Sequence, residues 1–405
     1  MIGRRNPHWK PHPARELGAG SCVIPVIRAG RRPASALLDV AATRPDVEAP
    51  MFSRFRRSRR VVGLDIGSSA IKEVELKPKD GGRSYELVSL GSEPLAPDSI
   101  VDGAIMDAAS VADSIERLLN AQRIRSKDVA TSLGGGAVIV KTISLPAMTP
   151  EELAESIYWE AEPHIPFDIR EVSLDYDVIE PSRSGGTMQV LLVAAKKDVI
   201  AAYTSVIVRA GRTPVIVDVE AFALQNCHEL NYEPDPDKLV ALAAVGASRT
   251  SIHILRGSVS LFSRHVAIGG NAHTLALQRE LNLPFGRAED LKRSGASEGH
   301  SPSDVLAPLQ AVSESLVAEM ERTFGFFRST GSGDRFERIL VTGGASRTPG
   351  LIDLMRQRFA AQIEPLNPFR NVGCDPRGFA PGLLEEIAPS AAIAVGLAMR
   401  QAEER

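Results

Sequence analysis

Residues 61–72, V-V-G-L-D-I-G-S-S-A-I-K, constrain this chain more than any other stretch. A β-branched apolar run from Val61 to Ile66 carries a single acid, Asp65, and breaks at Gly67 into Ser68 and Ser69. An apolar/polar alternation then runs from Ala70 to Leu76. The pattern predicts a strand, a tight turn of small residues and a second, antiparallel strand. Backbone N–H groups and hydroxyls at such a turn are unobstructed by large side chains, which suits a phosphate. Asp65 stands where it could hold a divalent cation through water, and Lys72 could reach an anionic oxygen. The same residues also make an ordinary hairpin whose aspartate caps the turn, and the twelve residues alone leave both readings open.

A second element lies far downstream, in E-R-I-L-V-T-G-G-A-S-R-T-P-G-L-I-D-L at 337–354. Arg338 to Thr342 read as a short buried strand. Gly343 and Gly344 then permit a turn with close approach to a flat or anionic ligand. Pro349 is expected in the first turn of a helix running through Leu351, Leu354 and Phe359. A plain strand–helix turn would look the same. Two such elements at opposite ends of a chain are what a cleft between two similar halves requires.

Between them the periodicities are mixed. Val111 to Gln122 repeat at helical spacing, while Val129 to Leu133 and Ala137 to Ile143 read as strands split by Gly134, Gly135 and Gly136. Thr149 and Glu152 form a capping-box pattern before a helix over Leu153–Ala161, stopped by Pro163 and Pro166. Val172 to Ile179 alternate as a strand, and Val190 to Ala195 are expected back in the main sheet. A helix follows from Asp198 to Ala210, then a strand from Pro214 to Val219. The second half opens near Ala223. Its runs 239–245 and 250–255 form a hairpin, extended by 259–266, which repeats the plan of residues 61–76. Trp159 fits either the core or a partner contact.

A chain of 405 residues is long enough for two or more domains. Its net charge of −3 gives no electrostatic support for nucleic-acid binding. Cys22, Cys227 and Cys374 are too scattered for a disulfide framework or a zinc site, which fits a reducing compartment. No apolar run approaches the ~18 residues of a membrane span. His8 and His12 are four apart, but Pro11 and Pro13 argue against a shared helical face. No serine or cysteine stands in a nucleophile-elbow setting. The Pro/Arg-rich residues 1–58 read as a disordered or mis-assigned extension, with Met51 as the natural start. Arg54 to Arg60, with Phe52 and Phe55, read as a solvated tail or a weak contact with anionic lipid.

The paired elements resemble the actin-like ATPase superfamily, and within it the PilM family of type IV pilus assembly. That closer resemblance rests on I-S-L-P-A-M-T-P-E-E-L-A-E-S-I-Y-W-E-A-E-P-H-I-P-F at 143–167, L-L-V-A-A-K-K-D at 191–198 and A-G-R-T-P-V-I-V-D-V-E-A-F-A-L at 210–224. It implies an α/β, ribonuclease H-like duplicated two-domain actin-like fold with an inserted FtsA/PilM-type (SHS2) α+β subdomain. Domain 1 would cover 59–222 with the insertion at about 145–190, and domain 2 would cover 223–374. Residues 375–405 would return to domain 1.

The resemblance also implies ATP and Mg2+ in the central cleft. Gly67, Ser68, Ser69 and Lys72 would form the first phosphate loop, with Asp65 facing the metal through water. Gly246, Ala247 and Ser248 would form the second, Glu289 and Lys292 would grip the adenosine, and Gly343, Gly344, Ala345 and Arg347 would line its far side. Asp218 or Glu220 would orient the attacking water, although Asp218 reads equally well as a helix N-cap, and Glu289 with Lys292 as a surface ion pair. The second loop departs from the family's D-x-G, since Ala244 replaces the acid and Arg249 adds a cation whose direction the sequence does not give. Weak or absent hydrolysis is the expectation.

The implied role is a cytoplasmic assembly platform binding the N-terminal tail of the inner-membrane protein PilN in a groove beside the insertion. No long amphipathic anchor follows Met399, so membrane association would run through partners, with self-association open. A filament-forming FtsA-like protein, a secretion or competence platform and a sugar-kinase-type phosphotransferase are the alternatives.

Overall fold

A computed structural model describes residues 61–180, 186–295, 299–330 and 335–400. The extension expected at 1–58 lies outside the described residues. In the first half the strands are β1 (Val62–Ile66), β2 (Ala70–Lys79), β3 (Ser84–Pro94), the two-residue pair β4 (Ile100–Val101) and β5 (Ala104–Ile105), and β6 (Asp128–Leu133), with helix α1 (Ala108–Ala121) before β6. Then come β7 (Val138–Pro146), α2 (Pro150–Ala161), β8 (Val172–Glu180), β9 (Thr187–Lys196), α3 (Lys197–Arg209), β10 (Thr213–Val219) and α4 (Glu220–Asn231). The second half holds β11 (Leu239–Val245), β12 (Thr250–Arg256), β13 (Val259–Val266), α5 (Gly270–Leu281), α6 (Phe285–Ser294), α7 (Pro302–Ser329), β14 (Phe336–Thr342), α8 (Leu351–Arg358) and β15 (Gln362–Pro365). The chain ends with β16 (Val372–Gly373), α9 (Leu383–Ile387) and α10 (Ala392–Ala398).

Two sheets repeat one plan. The first runs β10-β6-β1-β2-β3-β16 and the second β13-β12-β11-β14-β15. In each, three antiparallel strands come first, and two later strands add in parallel beside the opening one. The duplication expected from the paired hairpins is therefore a duplication of topology. Asp65 pairs with Lys72 across the first hairpin, and at the corresponding place Ala244 pairs with Ser251. Every residue of β1 is buried, because both faces of the sheet are covered. Val62, Leu64 and Ile66 pack with Val111, Ile115 and Leu118 of α1. On the opposite face, Gly63 lets α10 approach so closely that a Cβ there would lie 2.1 Å from the Ala394 carbonyl oxygen. Asp65 shares this second face by strand alternation.

A separate three-stranded sheet, β7-β9-β8, occupies 138–196 and carries α2 on one face. Residues 190–195, expected in the main sheet, are instead the middle of this small one. The misassignment has a physical cause. Val190, Leu192 and Ala194 pack under α2, whereas Leu191, Val193 and Ala195 join the core of the first half. Both faces are buried, so the run looks like a main-sheet strand. The capping box is as expected: Thr149 Oγ1 accepts from Glu152 N, and Glu152 returns to the Thr149 amide.

After β15 the chain recrosses to the first half, where β16 pairs with β3. Helix α10 then packs on α4, where a Cβ on Gly396 would lie 1.7 Å from the Ala223 carbonyl oxygen. The helix expected to contain Pro349 starts later, at Leu351: a short 3-10 turn over 344–347 closes at Thr348, and Gly350 at φ +79° holds the N-cap position of the helix. Among the described residues no helix is long and apolar enough to cross a membrane.

Candidate functional site

The two hairpin turns meet. In the first, the Gly67 amide donates to the Ala70 carbonyl at 3.2 Å, which turns the chain at Ser68 and Ser69. In the second, the Gly246 amide donates to the Arg249 carbonyl at 2.9 Å. The Ser68 hydroxyl donates to the Ser248 hydroxyl at 3.1 Å, so the tips touch across the boundary between the halves. The start of α5 braces the second tip. Gly270 N donates to Gly246 O at 2.9 Å and Asn271 N to Ala247 O at 2.8 Å. A Cβ on Gly269 would lie 2.6 Å from Ala247 O, so glycine is what allows this approach.

The downstream glycine pair closes on the same place. Gly343 has φ +93°, and a Cβ there would stand 2.2 Å from the Val245 carbonyl oxygen. The close approach made possible at Gly343 is thus to the backbone of β11, with its amide donating to Pro389 O at 2.5 Å. Gly344, by contrast, has nothing within 4 Å of a built Cβ. One built on Gly270 would meet the Ala345 methyl at 2.9 Å and Lys292 Nζ at 3.3 Å. Gly67, Ser68, Gly246, Ala247, Ser248, Lys292, Gly343 and Ala345 are therefore gathered into one cluster by consecutive contacts.

Charges in the cluster come in pairs. Lys72 Nζ lies 3.1 Å from Asp65 Oδ2, and a Cβ on Gly67 would lie 2.9 Å from the same ammonium. Burial pushes the Asp65 carboxyl above its usual range, with Lys72 working against it. On the other side of the tips, Arg249 Nη2 lies 3.2 Å from Glu220 Oε1. Burial would raise the Glu220 carboxyl, but Arg249 outweighs it, with the Ser251 hydroxyl assisting, and holds the group below the usual range. Gly135 N donates to His265 Nε2 at 3.1 Å, which leaves Nδ1–H to donate to Ser251 Oγ at 3.0 Å. Ser251 Oγ in turn donates to Glu220 Oε2 at 3.3 Å.

The remaining candidates divide. Lys292 is buried and spends its donors on Gly270 O at 3.1 Å, Thr274 Oγ1 at 2.9 Å and Glu289 Oε2 at 2.6 Å. The 289/292 pair thus ties α6 to α5 beside the second loop and is no solvated surface pair. Asp218 is neither an N-cap nor a free acid: Val219 occupies the N-cap position of α4, and Asp218 Oδ2 accepts from Arg400 Nε at 2.6 Å in the core. Arg347 is exposed and donates to Glu386 O at 3.3 Å. Gly134–Gly135, Ser251, His265 and Gly269–Gly270 were not singled out as site residues. The glycine pairs were the available signal, since each follows a strand of the two sheets.

Hydroxyls of Ser68 and Ser248, the turn amides and Lys72 make a donor set suited to phosphate oxygens. Carboxylates are scarcer. Asp65 is shared with Lys72, Glu220 is locked to Arg249, and buried Ala244 offers a methyl where a second acid would stand. Among the described residues no group of three His, Cys, Asp or Glu gathers to hold a metal ion. The set fits a nucleotide's phosphates and does not fit a protein-held divalent ion.

Comparison with known proteins places this architecture. The family model described as type IV pilus assembly protein PilM matches residues 63–402. A solved structure titled PilM-PilN type IV pilus biogenesis complex is 33% identical, covering 86% of this chain and 100% of that chain with a TM-score of 0.77. More distant are the ethanolamine utilization protein EutJ from Carboxydothermus hydrogenoformans (14% identity, 84% and 89% coverage, TM-score 0.49) and MreB5 of Spiroplasma citri bound to ADP (13%, 81% and 94%, 0.42). The chain belongs to the PilM family of type IV pilus assembly proteins and has the actin-like ATPase fold.

Proposed function

We propose that this chain is an ATP-binding assembly platform that holds the N-terminal tail of PilN at the cytoplasmic face of the inner membrane. The observation carrying the nucleotide half is the meeting of the loop tips at Ser68 and Ser248, with Lys72 beside Gly67. Phosphates between the tips would accept from both hydroxyls and from the turn amides, and Lys72 would turn from Asp65 toward them. The adenosine would lie toward Glu289, Gly344 and Ala345. A magnesium ion would arrive on the phosphates, with Asp65 facing it through water. Hydrolysis would be weak, because Glu220 is held by Arg249 and Ala244 supplies no acid.

The partner half is supported by the relative solved as a complex with PilN. In this chain, β8 is an edge strand of the small sheet, and Val178 on it is exposed. An extended peptide could add to that edge or lie in the groove against the first half. Nucleotide that draws the halves together would then stabilise the peptide-binding arrangement. The test is a titration of a labelled PilN N-terminal peptide with and without ATP. Saturable binding that tightens several-fold with ATP is expected. An absence of binding in both conditions would refute the partner assignment.

A further inference from the structure

Arg249 leaves its own half of the molecule. It directly follows Ser248 at the tip of the β11–β12 hairpin, and its side chain, 21% exposed, crosses into the first half. There it meets Glu220, the first residue of α4, through Nη2. The rest of the guanidinium lies against Gly103, Gly134 and Gly135: a Cβ on Gly135 would be 3.1 Å from Nη1, and one on Gly103 would be 3.3 Å from it. Gly134 is equally tight, with a built Cβ 1.9 Å from Glu220 Oε2.

These glycines sit at a junction. Residues 134–137 link β6 of the main sheet to β7, the first strand of the small sheet. The second half grips this link twice, through Arg249 and through His265, which accepts from the Gly135 amide. Glu220, Ser251 and His265 complete the connection. A planar, permanently charged fork packed against a half-buried carboxylate and bare backbone has little freedom to yield. Displacement of the Gly246–Ser248 tip therefore carries the guanidinium with it, against the root of the small sheet.

We infer that Arg249 is a positioning residue that couples occupancy of the Gly246–Ser248 loop to the three-stranded sheet through Glu220 and Gly134–Gly135. This rests on the nucleotide reading above and supplies its missing link: how a ligand in the cleft reaches the surface proposed for the partner. It also assigns Glu220 a role as counter-ion rather than base.

Hydrogen exchange on the full chain, with and without ATP, tests the link. Amides of 134–146 in the wild type are expected to slow about fivefold or more when ATP binds, the low end of ordinary coupling. Arg249→Ala is expected to bind ATP within roughly tenfold of wild type while losing that response. Arg249→Lys, whose ammonium can still pair with Glu220, should recover part of it. Glu220→Gln keeps the shape of the site and should lose the response too, which covers a poorly folded Arg249→Ala. An undiminished response in Arg249→Ala or Glu220→Gln overturns the coupling. Wild type that binds ATP without slowing at 134–146 also overturns the coupling, leaving the nucleotide reading intact. No binding of ATP to wild type overturns both.

Discussion

Glu73 gives a pH dependence whose size follows from its surroundings. It sits in the middle of β2, paired with Leu64 on one side and Gly91 on the other, and is fully buried. The Ser89 hydroxyl donates to its Oε2 at 3.2 Å, while Oε1 meets no partner among the described residues. Burial pushes the carboxyl up from 4.5 to about 7. One pKa unit corresponds to about 1.4 kcal/mol, so the shift amounts to about 3 kcal/mol. The sign follows from linkage. An acid whose folded-state pKa is raised favours folding when protonated, so its contribution is fully present below about 4.5 and is lost as pH rises to about 7. Above that it stays lost. Glu73→Gln cannot ionise, so the variant should match wild type near pH 4.5 and exceed it by about 2–3 kcal/mol at pH 8. Urea denaturation of both chains at pH 4.5, 6 and 8 reads this directly. Parallel pH profiles for the two proteins would refute the reasoning.

Other outcomes follow from the cluster. Gly343→Ala should cost about 2 kcal/mol or more and lower the melting temperature, since φ is +93° and the Val245 carbonyl stands in the way. Gly344→Ala, with open space, should be within about 0.5 kcal/mol of wild type in the same melt. Asp65→Ala should abolish magnesium-dependent ATP binding by calorimetry, and unchanged affinity would mean that the first loop is misassigned. Ala244→Asp alone should leave phosphate release near background because Glu220 stays locked to Arg249, whereas Ala244→Asp with Arg249→Ala should raise it.

Local chemistry was legible in the sequence where neighbours in the chain decide the structure. The hairpins at 61–76 and 239–255 and the capping box at Thr149 and Glu152 are of this kind. What could not be read depends on what crosses from elsewhere. The small-sheet run 190–195 looks like a main-sheet strand because tertiary packing buries both its faces. Asp218 looks like a cap or a catalytic acid until Arg400, contributed by the returning C-terminal segment, pairs with it. The direction of Arg249 is likewise set by a carboxylate and by the bare backbones of Gly103, Gly134 and Gly135 in the other half of the molecule.

The most direct measurement is a calorimetric titration of the purified chain with ATP. On the proposed function, the loop tips that meet at Ser68 and Ser248 should give saturable binding of one nucleotide per chain. No heat of binding and no thermal stabilisation up to millimolar ATP would contradict the account.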